Sequence, residues 1–378
     1  MRLAAATALT LSAPIPPSPP PQQFANRYAD GTQNGGMFVR DTLFLPRPGQ
    51  SPELLKNFVF GCAKYVSGLL YKQYADGLMG LSMGPSALPP QLAAAGIGGR
   101  GSAPGTFTLC LSRAGGAMAL GKPARPAGAA PLQYVFLQPS PRGFYLVGVQ
   151  GFTVNGAPLT LTTPASQTIL IDSGSTFSYL TFNTYQQLIS QLDAALAPLK
   201  PPPGQLPRRS LHQVSQRTAS LVLDYGGIVE DDGGNVAVGK EGAAPPAGSV
   251  FVSKVPLPKG NDDVCWDLTG PGATQIRTEY DLGGVFPDLE LTFAGGVPFK
   301  LPPYRYVFVA SKTKGNANAK PRVTVCLGVF DGNDLAILGA IMMRDTLFEF
   351  DWAGPLTKRV GFTQADCGYL ASDISRGS

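Results

Sequence analysis

Glycine and proline punctuate this chain so closely that its apolar residues fall into short runs bounded by turn formers. Phe58-Val59-Phe60, Phe107-Thr108-Leu109-Cys110-Leu111, Leu289 to Phe293 and Leu347-Phe348-Glu349-Phe350 are such runs. With 46 Gly and 36 Pro in 378 residues, the pattern calls for many short strands and tight turns rather than long helices. Hydrophobic residues make up 44% and charged residues 15%, enough to build a core over two or three domains or one large two-lobed one.

Several chemistries are excluded early. The net charge of +5 is mild and the basic residues are scattered, which argues against a nucleic-acid partner. The single histidine, His212, sits in a polar stretch flanked by arginines, so a histidine-based triad and a multi-histidine metal site are both disfavoured. No cofactor-binding motif stands out, and no metal is expected. The five cysteines, Cys62, Cys110, Cys265, Cys326 and Cys367, form no CxxC pair. Wide spacing in a β-rich chain suits disulfides and an oxidising compartment, with buried free thiols as the alternative.

Along the chain, residues 1–23 read as a signal-like or poorly ordered arm rich in proline. No run is long and apolar enough for a transmembrane helix. Strands begin at Phe24; Tyr28 to Gly36 reads as a hairpin tip and Met37 to Leu45 as its returning strand. A short helix is expected over Ala87 to Ala95, and another over Thr184 to Leu196, where Tyr185, Leu188, Leu192 and Leu196 share a face. Strands are expected at Phe144 to Val149 and from Gly151 to Leu161. Residues 200–248 read as a long surface insertion. The whole is an all-β pattern with short helices: an arm at 1–23, a first half at 24–145, a second at 146–370 and a tail at 371–378.

The stretch with chemical promise is Thr168-Ile169-Leu170-Ile171-Asp172-Ser173-Gly174-Ser175-Thr176. A strand of buried character runs into an acid whose charge needs donors, and the following hydroxyls and amides can supply them. Gly174 lets the loop turn back without a Cβ in the way. Such a carboxylate suits acid–base work, although an ordinary Asx or Ser turn accounts for these nine residues as well. The two halves also echo each other: Leu78-Met79-Gly80 in the first and Ile337-Leu338-Gly339 in the second. A duplicated β unit with a site at its pseudo-twofold is the expectation.

From about Tyr28 to Cys367 the chain resembles the pepsin-like aspartic peptidases, in particular the plant and algal type similar to nepenthesin. Residues 169–176 are similar to the second catalytic loop. Ala336-Ile337-Leu338-Gly339, Arg344 to Asp351 and Arg359-Val360-Gly361-Phe362 are similar to the closing ψ-loop segment, and Tyr28-Ala29-Asp30-Gly31-Thr32 to the flap. The resemblance implies a bilobal acid-protease fold. It implies Asp172 as one of two catalytic aspartates and Tyr28 as the flap tyrosine. Gly31, Thr32, Gly174, Ser175 and Thr176 would lie around the substrate. It further implies disulfides Cys265–Cys326 and Cys110–Cys367, a polypeptide substrate, a monomer, and a secretory route to the vacuole or cell exterior. The family's chemistry uses two carboxylates that share a proton and activate a bridging water.

One departure matters. The family's first Asp-Thr/Ser-Gly should precede the flap, and no aspartate occurs before Asp30. The first lobe is therefore expected to be truncated, with Cys62 left without its partner. Three readings follow: an aspartic endopeptidase impaired as it stands, a non-catalytic binding or inhibitor-like module of the same fold, and a homodimer that pairs two Asp172 loops.

Overall fold

A computed structural model of the chain describes residues 23–27, 31–47, 50–68, 70, 76–99, 102–113, 115–122, 130–200, 250–256, 263–313, 315, 320–352 and 358–368. Tyr28, His212, the tail and almost all of the expected arm and insertion lie outside them. The chain divides into two compact units: Met1–Leu43 with Lys56–Ala75, and Phe44–Leu55 with Asp76–Ser378.

Strands β1 (Gln23–Arg27), β2 (Gln33–Arg47) and β3 (Gln50–Val66) lie side by side in one sheet, and their first-unit portions build that unit. β1 and β2 are antiparallel, with Arg27 opposite Gln33 and Phe24 opposite Gly36. The hairpin tip is thus shorter than expected, because Gln33 to Gly36 already pair. Gly36 is required there, since a Cβ would lie 2.0 Å from the Cys62 carbonyl oxygen.

The second unit continues with α1 (Leu88–Ala94), β4 (Phe107–Ser112), β5 (Gly115–Leu120), β6 (Gln133–Phe136), β7 (Leu146–Val154), β8 (Ala157–Pro158), β9 (Thr168–Ile171), β10 (Ser178–Leu180) and α2 (Phe182–Leu196). Then come β11 (Phe251–Lys254), β12 (Cys265–Thr269), β13 (Leu289–Phe293), β14 (Val297–Leu301), β15 (Val307–Thr313), β16 (Arg322–Leu327) and β17 (Val329–Asp331). The chain closes with β18 (Ile337–Leu338), α3 (Ala340–Met343), β19 (Thr346–Asp351) and β20 (Arg359–Gln364).

The largest sheet runs β14-β13-β7-β9-β18-β10-β17, with β8 beside β7. β7 is one strand where two were expected. Gly151 does not end it, because Gln150 is absorbed as a bulge: Val149 opposes Phe293 while Gly151 opposes Thr292. The Gln150 side-chain oxygen accepts the Gly296 amide at 3.1 Å. Pro298 is tolerated because β14 is the edge strand of this order. The expected face of α2 is the buried one: Tyr185, Leu188, Leu192 and Leu196 turn into the core. Each fully buried leucine there contributes on the order of 2 kcal/mol.

A four-stranded sheet, β11-β12-β16-β15, carries the Cys265–Cys326 disulfide directly across β12 and β16. A second disulfide, Cys110–Cys367, ties β4 to the residues after β20. Cys62 is a free, exposed thiol. Both pairs are those the resemblance implied.

The five-stranded sheet, β5-β4-β19-β20-β6, shows how the halves are related. Hairpin β4–β5 and hairpin β19–β20 meet edge to edge, with Leu109 opposite Phe348 and Phe107 opposite Phe350. Before each hairpin stands the same order of parts: an apolar pair, a glycine and a helix, which are Leu78-Met79-Gly80 with α1, and Ile337-Leu338-Gly339 with α3. Two carboxylates are buried in this sheet and both are compensated. Asp351 accepts from Arg359 Nε and Nη2 at 3.0 and 2.9 Å, and Glu349 accepts the Tyr134 hydroxyl at 2.8 Å. Burial, followed by the bond to Glu349, pushes the Tyr134 phenol up to about 12.

Candidate functional site

The site grows out of the middle of the largest sheet. β9 and β18 run parallel, with Leu170 beside Ile337 and Ile171 beside Leu338. The Leu170 amide donates to the Ala336 carbonyl and the Asp172 amide to the Leu338 carbonyl, both at 3.0 Å. Asp172 is therefore fixed by its backbone at the point where the strand stops. Ile169 and Ile171 are buried below it, so the strand cannot slide without exposing them.

Its carboxylate is held by the loop that follows. The Gly174 amide donates to Asp172 Oδ1 at 2.9 Å, and the Ser175 hydroxyl donates to Oδ2 at 2.9 Å. A Cβ on Gly174 would sit 3.1 Å from Oδ1, so glycine allows this approach. The loop is then clasped from the other side. Ala340 N–H donates to the Ser175 carbonyl at 2.7 Å, and Ile341 N–H to the Thr176 carbonyl at 3.0 Å. Gly339 fits beneath, its amide on Ser178 Oγ at 3.0 Å. A Cβ on Gly339 would lie 2.0 Å from the Phe177 carbonyl oxygen. Phe177 in turn packs on Phe308 and Phe330.

Asp172 thus stands half-buried with both carboxylate oxygens facing donors. That is how a carboxylate is kept rigid for proton transfer. Among the described residues, no hydrogen bond or ion pair links it to a second carboxylate. No group of three or more His, Cys, Asp or Glu among them is arranged to hold a metal ion.

The structure brings Asp172, Gly174, Ser175 and Thr176 together. Gly31 and Thr32 belong to the other unit. There Gly31 is exposed at φ +82°, and Thr32 is buried against Gly68. Sequence reasoning passed over Ser178, and it named Gly339 only within the echo of the two halves and the closing segment. Ser178 is the fully buried hydroxyl that braces Gly339, and its only signal was a fourth hydroxyl two residues beyond Thr176.

A second polar cluster follows α3. Arg344 pairs with Glu279 at 2.9 Å, both nearly buried, and also donates to the Tyr304 carbonyl at 3.1 Å. Asp345, at φ +48°, accepts the Tyr280 hydroxyl at 2.6 Å, while its backbone carbonyl accepts from Arg305 Nη2 at 2.7 Å. Burial pushes the Asp345 carboxyl above its usual range against the pull of Tyr280 and Arg305. Burial likewise raises the Tyr280 phenol, helped by its bond to Asp345.

Comparison with known proteins identifies this arrangement. Residues 12–122 match the family described as Xylanase inhibitor N-terminal, and residues 248–364 the one described as Xylanase inhibitor C-terminal. Aspartic proteinase 36 of Arabidopsis thaliana is 31% identical over 179 residues, covering 44% of this chain and 35% of that protein. The chain belongs to the pepsin-like aspartic peptidase family. Aspartic proteinase nepenthesin-1 of Nepenthes gracilis is 27% identical over 188 residues, which is 45% of this chain and 39% of that protein. The chain thus spans little more than a third of the length of these relatives. The crystal structure of Basic 7S globulin from soybean superposes with a TM-score of 0.55 at 19% identity, over 94% of this chain and 79% of that one. It shares the fold: mostly β-sheet with few helices, of the pepsin-like type. No helix among the described residues is long and apolar enough to cross a membrane.

Proposed function

We propose that Asp172 is one acid of an aspartic endopeptidase site. In the charged state it takes a proton from a water, which attacks the carbonyl of a peptide bond, while a second, protonated carboxyl donates to that carbonyl. The observation that supports this reading is the closed set of donors around Asp172, one to each oxygen. The lobes of such a site would be residues 24–145 and 146–370, with Tyr28, Gly31 and Thr32 in the flap and Gly174, Ser175 and Thr176 around the substrate. The two disulfides suit an oxidising compartment, so we place the protein on the secretory route, as a monomer with no cofactor and a polypeptide substrate.

The 378 residues contain one Asp-Ser-Gly and no Asp-Thr-Gly. One carboxylate cannot hold the abstracting and the donating role at once. This polypeptide on its own is therefore expected to have little or no peptidase activity. The test is cleavage of a denatured globular protein at acid pH by the purified 378-residue chain. Cleavage that pepstatin blocks and Asp172→Ala abolishes overturns the expected inactivity; failure to cleave supports it.

A second reading rests on the family descriptions, which name a xylanase inhibitor. Here the same fold binds a glycoside hydrolase and cuts nothing. Titration of a xylanase with the chain separates the two: saturable inhibition that survives Asp172→Ala favours the binding module.

A further inference from the structure

Asn-Gly occurs twice in this chain, at Asn34-Gly35 and Asn155-Gly156, and the fold treats the two pairs in opposite ways. The dipeptide carries a latent reaction of its own. With no Cβ on the glycine, nothing hinders its main-chain nitrogen from attacking the preceding side-chain amide. Whether attack occurs depends on how freely those two groups can meet.

Asn155 and Gly156 are the two turn residues between β7 and β8, where Val154 opposes Ala157 and Thr153 opposes Pro158. Both have positive φ, +48° and +79°, as a two-residue type I′ turn requires. Residues 155–158 are exposed, and a Cβ on Gly156 would meet nothing within 4 Å. The Asn155 N–H donates to the Asp288 carbonyl at 2.8 Å. Among the described residues, no hydrogen bond engages the Asn155 side-chain amide or the Gly156 nitrogen. Asn34-Gly35 is the reverse case. Asn34 opposes Asn26 and Gly35 opposes Ala25 within the β1–β2 ladder. The Asn34 side-chain oxygen accepts from Asn26 Nδ2 at 3.1 Å, and Gly35 is buried with the Tyr65 ring against it.

We propose that Asn155-Gly156 is a self-modification site, which converts to aspartate and isoaspartate in the folded protein with water as the only co-reactant. The Gly156 nitrogen bonds to Asn155 Cγ, the Cγ–Nδ2 bond breaks, and Nδ2 leaves as ammonia with the glycine proton. Water then opens the five-membered imide at either carbonyl, and nothing is oxidised or reduced. Opening at one carbonyl gives aspartate. Opening at the other routes the main chain through the former side chain and lengthens it by one carbon. Either product introduces a carboxylate next to residues 288–290, where Asp288 holds the turn through its carbonyl and Glu290 opposes Thr153. The added carbon also spoils the two-residue match between Val154 and Ala157 on which a turn of this type depends. The site thus records the age of the molecule and loosens β8 from β7. It is independent of the peptidase reading.

The experiment incubates the whole 378-residue chain in mildly alkaline buffer and follows both Asn-Gly peptides by mass mapping and isoaspartate assay. The expected result is loss of the Asn155 amide while Asn34 keeps its own. In the chain unfolded by urea, both should convert. Asn155→Gly accepts the positive φ and should abolish the signal from this turn. The Leu159 amide, which donates to the Phe152 carbonyl at 2.7 Å, should exchange faster in the aged chain. Asn155→Asp separates the charge from the extra carbon: it should speed that exchange less than ageing does. Asn155 intact after the unfolded chain has converted, or Asn34 converting as early as Asn155 in the folded chain, would overturn the site. Leu159 exchange unchanged by ageing would overturn the loosening of β8.

Discussion

The Ser175 hydroxyl closes on Asp172 Oδ2 at 2.9 Å while the Ser175 amide donates to the Asp172 carbonyl at 3.2 Å. One residue thus fixes both the side chain and the backbone of the acid. Replacing Ser175 by Ala removes the first bond and keeps the second. The expected cost is about 1 kcal/mol, small because Asp172 is half-buried and water can replace the donor. A denaturant titration should show a lower midpoint at unchanged slope, and the Gly174 amide should exchange faster.

Gly339 allows no side chain. Its Cβ would lie 2.0 Å from the Phe177 carbonyl oxygen, and the neighbours are backbone rather than flexible side chains. Gly339→Ala should destabilise the chain by about 3 kcal/mol, the upper end of overpacking costs, and release the Asp172 loop. Thermal unfolding checks the first effect, and amide exchange at Ser175 and Thr176 the second.

Glu279 and Arg344 form an ion pair whose side chains are 3% and 7% exposed. Removing the acid alone takes the paired carboxylate from a buried guanidinium and leaves the Tyr304 carbonyl bound to it. Glu279→Ala should therefore cost roughly 3–5 kcal/mol, whereas replacing both residues with apolar ones of similar volume should cost far less. A double-mutant cycle on unfolding free energies measures the difference.

Asp345 predicts a pH effect. Its folded-state pKa lies above the usual 3.8, chiefly because burial disfavours the charge. A raised pKa favours folding at low pH, so the contribution is present below 3.8 and is lost as the pH rises through the folded value. Asp345→Asn keeps an acceptor for Tyr280 and tolerates the left-handed backbone at φ +48°. Melting temperatures across this range should fall more steeply for the native chain than for the variant. Parallel curves would show that Asp345 is not the group responsible.

Much of this was legible in the residues, and the exceptions have causes. Leu289–Phe293 and the buried face of α2 followed from periodicity, which is set by the residues themselves. β5 did not. Gly115-Gly116-Ala117-Met118-Ala119-Leu120 has little strand character and is extended because it pairs with β4. β7 was cut at Gly151 because a bulge at Gln150 has no signature in one strand alone; it depends on the partner, Phe293. The donors within the Asp172 loop were readable as local chemistry. Its outer clasp, Ala340 and Ile341, comes from residues far away in sequence and needed the fold. The disulfide partners were legible only through the family resemblance.

The edge-to-edge hairpins bear on how a newly made chain matures. Cys110 is opposite Leu347 and bonded to Cys367, 257 residues further on. As synthesis proceeds from the amino end, β4 has no neighbour on that side until β19 has emerged from the ribosome. Until then its edge is open to wrong partners, and long-range pairings of this kind form slowly. The β4 edge and the Cys110 thiol thus wait on residues made more than 230 positions later before either can take its native partner.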